Sequence, residues 1–127
     1  MKPEELMIGD WLLWDNTLPC IVTTIGCDYI ETTKCGITLA ESHLLQGVPL
    51  TPEILEQNGF VKQAYDGWLI IENNGRGTIE YRTDYFDGML RINYTKKPFS
   101  KISIKLKYVH ELQHALRLCG IDKTIEV

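Results

Sequence analysis

The pattern of apolar and polar positions changes character twice along the chain. From residue 6 to about residue 48 the apolar residues come in short runs, WLLW, CIVTTI, YIETT and GITL, broken by the turn formers Asp15-Asn16, Gly26 and Gly36. Runs of this length between such residues predict short strands. The grammar then shifts at LTPEILEQNGF. Thr51 is a good N-cap, Pro52 suits the first helical position, where no N–H is needed, and Glu53 sits at the positive end of the helix dipole. Leu50 and Leu55 are placed to form a hydrophobic staple. Gly59 can take a left-handed conformation that folds Phe60 back on Leu55, so a helix of about two turns is expected.

Strand periodicity resumes in FVKQAY, WLIIE, TIEYRTDY and MLRINY, joined by Asp66-Gly67, Asn73-Asn74-Gly75 and Asp87-Gly88. These turn residues supply the positive φ angles of tight hairpins and predict an antiparallel meander. Ile79, Tyr81 and Thr83 share one face of their strand, as do Leu90, Ile92 and Tyr94, so one side of the sheet needs a cover. A second helix, from about Leu106 to Cys119, is the expected cover. At about 100° per residue, Tyr108, Val109, Leu112, Ala115, Leu116 and Cys119 form one stripe, closed by Gly120 and Ile121. IDKTIEV then reads as a short terminal strand.

The whole pattern is that of an α+β protein, divided into residues 1–48 and residues 49–127. In the first part, Ile8-Gly9-Asp10-Trp11-Leu12 followed by Cys20-Ile21-Val22-Thr23-Thr24-Ile25 resembles the entry strands of SH3-like barrels, where a Gly-Asp turn launches the first strand. The expectation is therefore a small SH3-like β-barrel followed by an antiparallel meander packed with two helices. There is no repeat and no low-complexity tract.

Composition narrows the function classes. With 127 residues, 44% of them apolar, the chain can build a real core. A formal net charge of −4 gives no general electrostatic footprint for nucleic acid or anionic lipid. The richest basic run, Lys96, Lys97, Lys101, Lys105 and Lys107, reads as a solvated strand and helix face. No stretch approaches the apolar length of a membrane span, and MKPEELMIGDWLLW places acids where a signal peptide has its apolar core, so a cytoplasmic location is expected. The four cysteines, Cys20, Cys27, Cys35 and Cys119, show no C-x-x-C spacing and are expected as free, buried thiols.

The most specific chemical signal is His110-Glu111-Leu112-Gln113-His114, an H-E-x-x-H pattern. On a helix it sets two imidazoles one turn apart beside a carboxylate that can activate zinc-bound water. His110 and His114 would then be the ligands and Glu111 the base. Both histidines fall roughly 160° to 200° from the apolar stripe, which reads as a solvent-side face with Glu111 an ordinary surface acid. A catalytic zinc also needs a third ligand, for which only Asp122, Glu126 and the distant His43 are available. There is no nucleophile elbow and no phosphate loop, and Gly75-Arg76-Gly77 leads into a strand rather than a helix. No catalytic residue, metal ligand or cofactor site is therefore assigned.

The pairing of PLTPEILEQNGF with KYVHELQHALRLCGI resembles a family of small uncharacterised proteins common in gut Bacteroidetes, often encoded near phage-like or mobile elements. The resemblance covers the whole chain. It implies other polar residues over the His110–His114 turn in related members, as in Y-V-H-Q-L-Q-N, which removes the zinc pair. The expected function is a non-enzymatic cytoplasmic interaction or accessory module with a protein partner, linked to mobile elements. One alternative is a zinc-dependent peptidase through residues 110–114. A second is nucleic-acid binding through the first barrel, with Trp11, Trp14 and Tyr29 as stacking surfaces, against which the acidic balance weighs.

Overall fold

A computed structural model of the chain describes residues 5–34, 36–64, 67–72, 77–83, 88–94 and 100–127. The fold is mixed α+β with a curled half-barrel sheet and two α-helices, and the described strand ladders are all antiparallel. Contacts divide it into two units. Residues up to Pro49, with Tyr108–His114 and Val127, form one, and Leu50–Lys107 with Ala115–Glu126 form the other. Tyr108–His114, counted with the second part on the sequence pattern, thus groups with the first.

The first unit holds β1 (Trp11–Trp14), β2 (Leu18–Ile25), β3 (Tyr29–Thr32), β4 (Gly36–Thr38) and β5 (Leu45–Gly47), with a 3-10 helix at Leu39–Leu44. Sheet order is β4-β3-β2-β1-β5. Asp15 and Asn16 take φ of 48° and 62° at the β1–β2 turn, where Thr17 N–H donates to Trp14 C=O at 3.0 Å. Both are residues that tolerate this region, and the turn geometry suits the strand twist. The register of β2 slips between Val22 and Thr24, a bulge that bends the strand. Leu6, Leu12, Cys20, Val22, Ile30 and Leu45 form the core, with Trp14 packed against it.

In the second unit, α1 (Pro52–Gln57) begins as its sequence dictates, with Thr51 Oγ accepting from Ile54 N–H at 3.3 Å. It closes with Gly59 at φ +92°, Gly59 N–H donating to Glu56 C=O and Phe60 N–H to Leu55 C=O. That pair of bonds is the Schellman arrangement, and it buries Phe60 and Leu55. The meander runs β6 (Val61–Lys62), β7 (Gly67–Glu72), β8 (Gly77–Arg82), β9 (Met89–Tyr94) and β10 (Ser100–Lys105), each paired with the next. Its register aligns Trp68, Tyr81, Leu90 and Ile104 in one row and Ile70, Ile79, Ile92 and Ile102 in another. Apolar positions are thus in register from β7 to β10, whereas on the β6–β7 ladder Trp68 pairs with Lys62. The turn dipeptide Asn73-Asn74, Asp66 and Asp87 lie outside the described residues, as do Gly75, Arg76, Cys35, Lys96 and Lys97.

Several expectations change. The meander has a last strand, β10, beyond MLRINY; Ile102 and Ile104 alternate with Lys101 and Lys105, and lysines suit a sheet edge. The C-terminal helix α2 starts at Val109 rather than Leu106, because Tyr108 bridges Pro49 in extended conformation. Tyr108 therefore leaves the apolar stripe and is 39% exposed. Val109, Leu112, Ala115, Leu116 and Cys119 are buried as the stripe requires. Gly120 and Ile121 repeat the Schellman closure on Arg117 and Leu116. IDKTIEV forms no strand; the Asn58 carboxamide holds it instead, donating to Glu126 C=O and accepting from Glu126 N–H, both at 2.8 Å. Cys20 and Cys119 are buried free thiols, but Cys27 is exposed in the β2–β3 turn.

Candidate functional site

The site begins at the turn before β1. Met7, Ile8, Gly9 and Asp10 close a β-turn in which Asp10 N–H donates to Met7 C=O at 3.1 Å and Gly9 takes φ +94° at the third position, where a side chain would be strained. The Asp10 carboxylate accepts the Met7 N–H at 2.7 Å and is fully buried. Gly9 N–H and Asp10 C=O both bond Val22, tying the turn to β2. A buried carboxylate needs partners, and its second one comes from the opposite end of the chain.

That partner is His114. Its Nε2 lies 2.9 Å from Asp10 Oδ1 and 2.8 Å from Oδ2. A carboxylate accepts only, which assigns the ring proton to Nε2. Next to it, Gln113 clamps the turn from both sides: its Nε2 donates to Gly9 C=O at 2.8 Å and its Oε1 accepts Trp11 N–H at 3.0 Å. Glu111 reaches back along its own helix and accepts the Tyr108 N–H at 3.0 Å. This is the reciprocal half of a capping box, with Tyr108 as the N-cap residue and Glu111 three positions on. The E, Q and second H of the pattern thus have structural partners.

His110 is different. Its side chain is buried, 5% exposed, and Nδ1 has no hydrogen-bond partner among the described residues. The ring stacks on Tyr108 with centroids 5.8 Å apart and meets the His114 ring edge-on at 5.7 Å. Gly47 on β5 permits this packing; a Cβ there would stand 2.6 Å from Tyr108 Cγ and 3.1 Å from His110 Cε1. Burial lowers the His110 pKa, and the adjacent His114 works in the same direction against the pull of Asp10, Glu111 and Glu5. His110 is accordingly a neutral imidazole near pH 7.

The expected solvent-side placement of the two histidines is therefore corrected. Helical periodicity located the face opposite the apolar stripe, but that face is covered by the Gly9–Asp10 turn of the same unit. As a metal centre the arrangement is incomplete. His114 Nε2 is engaged by Asp10, and among the described residues no three His, Cys, Asp or Glu side chains are grouped to hold an ion. His43 is exposed on the 3-10 helix, Asp122 is exposed in the C-terminal tail, and Glu126 is exposed where Asn58 holds its backbone.

Of the aromatic residues considered for nucleic acid, Trp11 and Trp14 lie on opposite faces of β1. Leu12 faces the core and Trp14 packs against that same core, whereas Trp11 lies on the other face of β1. Tyr29 is 41% exposed at the start of β3, its ring close over Gly26. Of the basic run, Lys105 and Lys107 are exposed.

Asp10 and Gln113 were not singled out as site residues from sequence. The available signal was a Gly-Asp turn facing a helix with paired polar residues, and nothing local says that the two meet. No helix among the described residues is long and apolar enough to cross a membrane. Comparison of the chain with protein-family models, curated proteins and solved structures yields no match.

Proposed function

We propose that the chain is a non-enzymatic protein-interaction or accessory module whose first unit is an SH3-like small barrel. The barrel reading is supported by five strands in the order β4-β3-β2-β1-β5 with a 3-10 helix between β4 and β5. The non-enzymatic reading rests on one observation: Glu111, Gln113 and His114 are committed to helix capping and to the Gly9–Asp10 turn. A general base already holding a helix N-terminus, beside a ligand nitrogen already holding a carboxylate, is poorly placed to activate water. Action in the cytoplasm, alongside phage-like or mobile elements, belongs to the same proposal and is motivated by the sequence resemblance.

The experiment is a peptidase assay on the full chain with added zinc and a mixed peptide substrate, read by mass spectrometry. The expected result is no cleavage above that of Glu111→Gln. Cleavage that disappears in Glu111→Gln would overturn the reading in favour of a zinc peptidase.

A further inference from the structure

The meander of the second unit ends in two unlike edges. β6 is only Val61–Lys62, whereas β10 runs from Ser100 to Lys105 and, among the described residues, is paired along one side alone, by β9. A long strand open on one side presents a row of main-chain donors and acceptors to any extended segment that fits it.

The ladder sets which groups face outward. Leu106 N–H donates to Gly88 C=O at 2.9 Å, one step past the Lys105–Met89 pair of the β9–β10 register. Bonded positions alternate along an antiparallel pair, so Ile104, Ile102 and Ser100 turn their main chain toward β9, and Lys105, Ser103 and Lys101 turn theirs away from it. The outward side is already used a little further on, where Lys107 C=O accepts Leu50 N–H at 2.9 Å. From Lys105 back to Lys101 no described residue takes it.

The two faces of this edge define what an added strand would carry. Trp68, Tyr81 and Leu90 are buried, but Ile104, the end of their row, is 39% exposed. An apolar side chain laid beside Ile104 would extend the cover to the edge. On the other face Ser103 and Lys105 are exposed, and neither β10 nor β9 contains an acid. Carboxylates are the complement of such a face. A second copy of the chain is a poorer fit, because antiparallel pairing centred on Ser103 sets Lys101 of one copy opposite Lys105 of the other, a like-charge contact.

We infer that the β10 edge receives an extended acidic segment of a partner protein as a further antiparallel strand, bonded to the main chain of Lys101, Ser103 and Lys105, with carboxylates on the Lys105 face and apolar side chains beside Ile104. This is strand addition, in which main-chain bonds hold the segment and alternate side chains select it. The inference deepens the interaction-module reading and rests on it.

The test is an NMR titration of the isotope-labelled full chain with N-acetyl-Glu-Val-Glu-Val-Glu-Val-Glu-amide, following backbone amides. The same peptide with lysine in place of glutamate is the control. The acidic peptide should give saturable shifts and slowed hydrogen exchange at the Lys101, Ser103 and Lys105 amides, with smaller changes at Ile102 and Ile104, and the basic peptide none. Lys105→Glu should weaken binding by about tenfold, through one attraction lost and one repulsion gained. Ser103→Pro removes an outward N–H and no bond to β9, so it should abolish binding with the rest of the amide spectrum unchanged. No saturable shift, shifts away from β10, an equal response to the basic peptide, or undiminished binding in Lys105→Glu would each overturn the inference. Shifts at the same amides on raising the protein concentration alone would assign the edge to a second copy and overturn it as well. Mass spectrometry of the titrated peptide separates the two levels: cleavage lost in Glu111→Gln would overturn the non-enzymatic reading itself, whereas intact peptide without binding would overturn the β10 edge alone.

Discussion

The Nε2 atom of His114 lies 2.8 Å from Oδ2 of Asp10, a residue 104 positions earlier in the chain and fully buried. This contact, with the Gln113 clamp beside it, fastens the turn that launches β1 to the first turns of α2. An H-E-x-x-H pattern is thereby used as a clasp: its glutamate starts the helix, its glutamine grips a backbone, and its last histidine hydrogen-bonds a buried carboxylate.

Loss of the clasp should cost stability. In His114→Ala the Asp10 carboxylate stays buried and keeps the Met7 N–H but loses the imidazole, and the expected destabilisation is about 2 kcal/mol. His114 is 28% exposed, so water can enter to replace part of the contact and the cost stays below that of a fully sealed pair. Urea unfolding of the variant and the parent chain measures the difference. A change within experimental error would mean that the contact carries no stability.

Glu111 should behave as a cap. Glu111→Ala removes the acceptor for Tyr108 N–H and is expected to cost about 1 kcal/mol, whereas Glu111→Gln keeps it and should be nearly neutral. Thermal denaturation of the pair distinguishes a cap from a surface acid, for which both substitutions would be silent.

Stability should fall on mild acidification. The His110 pKa is lowered in the folded protein, chiefly by burial, so between its unfolded value near 6.5 and its lower folded value the unfolded chain binds more protons. Over that window, unfolding free energy rises with pH; above it, His110 is neutral in both states and contributes no slope. Asp10, Glu5 and Glu111 pull the His110 pKa up, while His114 pushes it down, so the window is narrower than burial alone would set. Replacing His110 by Gln, which cannot titrate, should flatten the slope of a urea midpoint against pH just below 6.5. An unchanged slope would contradict the assignment.

Much of the fold was legible because its signals are local. The Thr51–Pro52 start and Gly59 stop of α1, the alternation of β8 and the Gly120 closure of α2 are each written within a few residues and formed as expected. What failed to show was long-range. The helical wheel correctly set His110 and His114 opposite the apolar stripe, but only the tertiary fold reveals that Gly9 and Asp10 cover that face. The strand at Ser100–Lys105 was hidden for another reason, since its lysines mask a two-residue period of isoleucines. Tyr108 misled the stripe because an apolar residue at a helix start can serve as the N-cap through its backbone while its ring stacks on His110.

The central claim, that the residues of HELQH hold the fold together rather than a metal, is tested most directly by recording the histidine ring nitrogen signals of the labelled chain while adding one equivalent of zinc. The account predicts a His114 ring protonated at Nε2, with signals of both His110 and His114 unchanged by zinc and no zinc retained after dialysis. One zinc retained per chain, with both rings shifting together and the effect lost in His114→Ala, would contradict it.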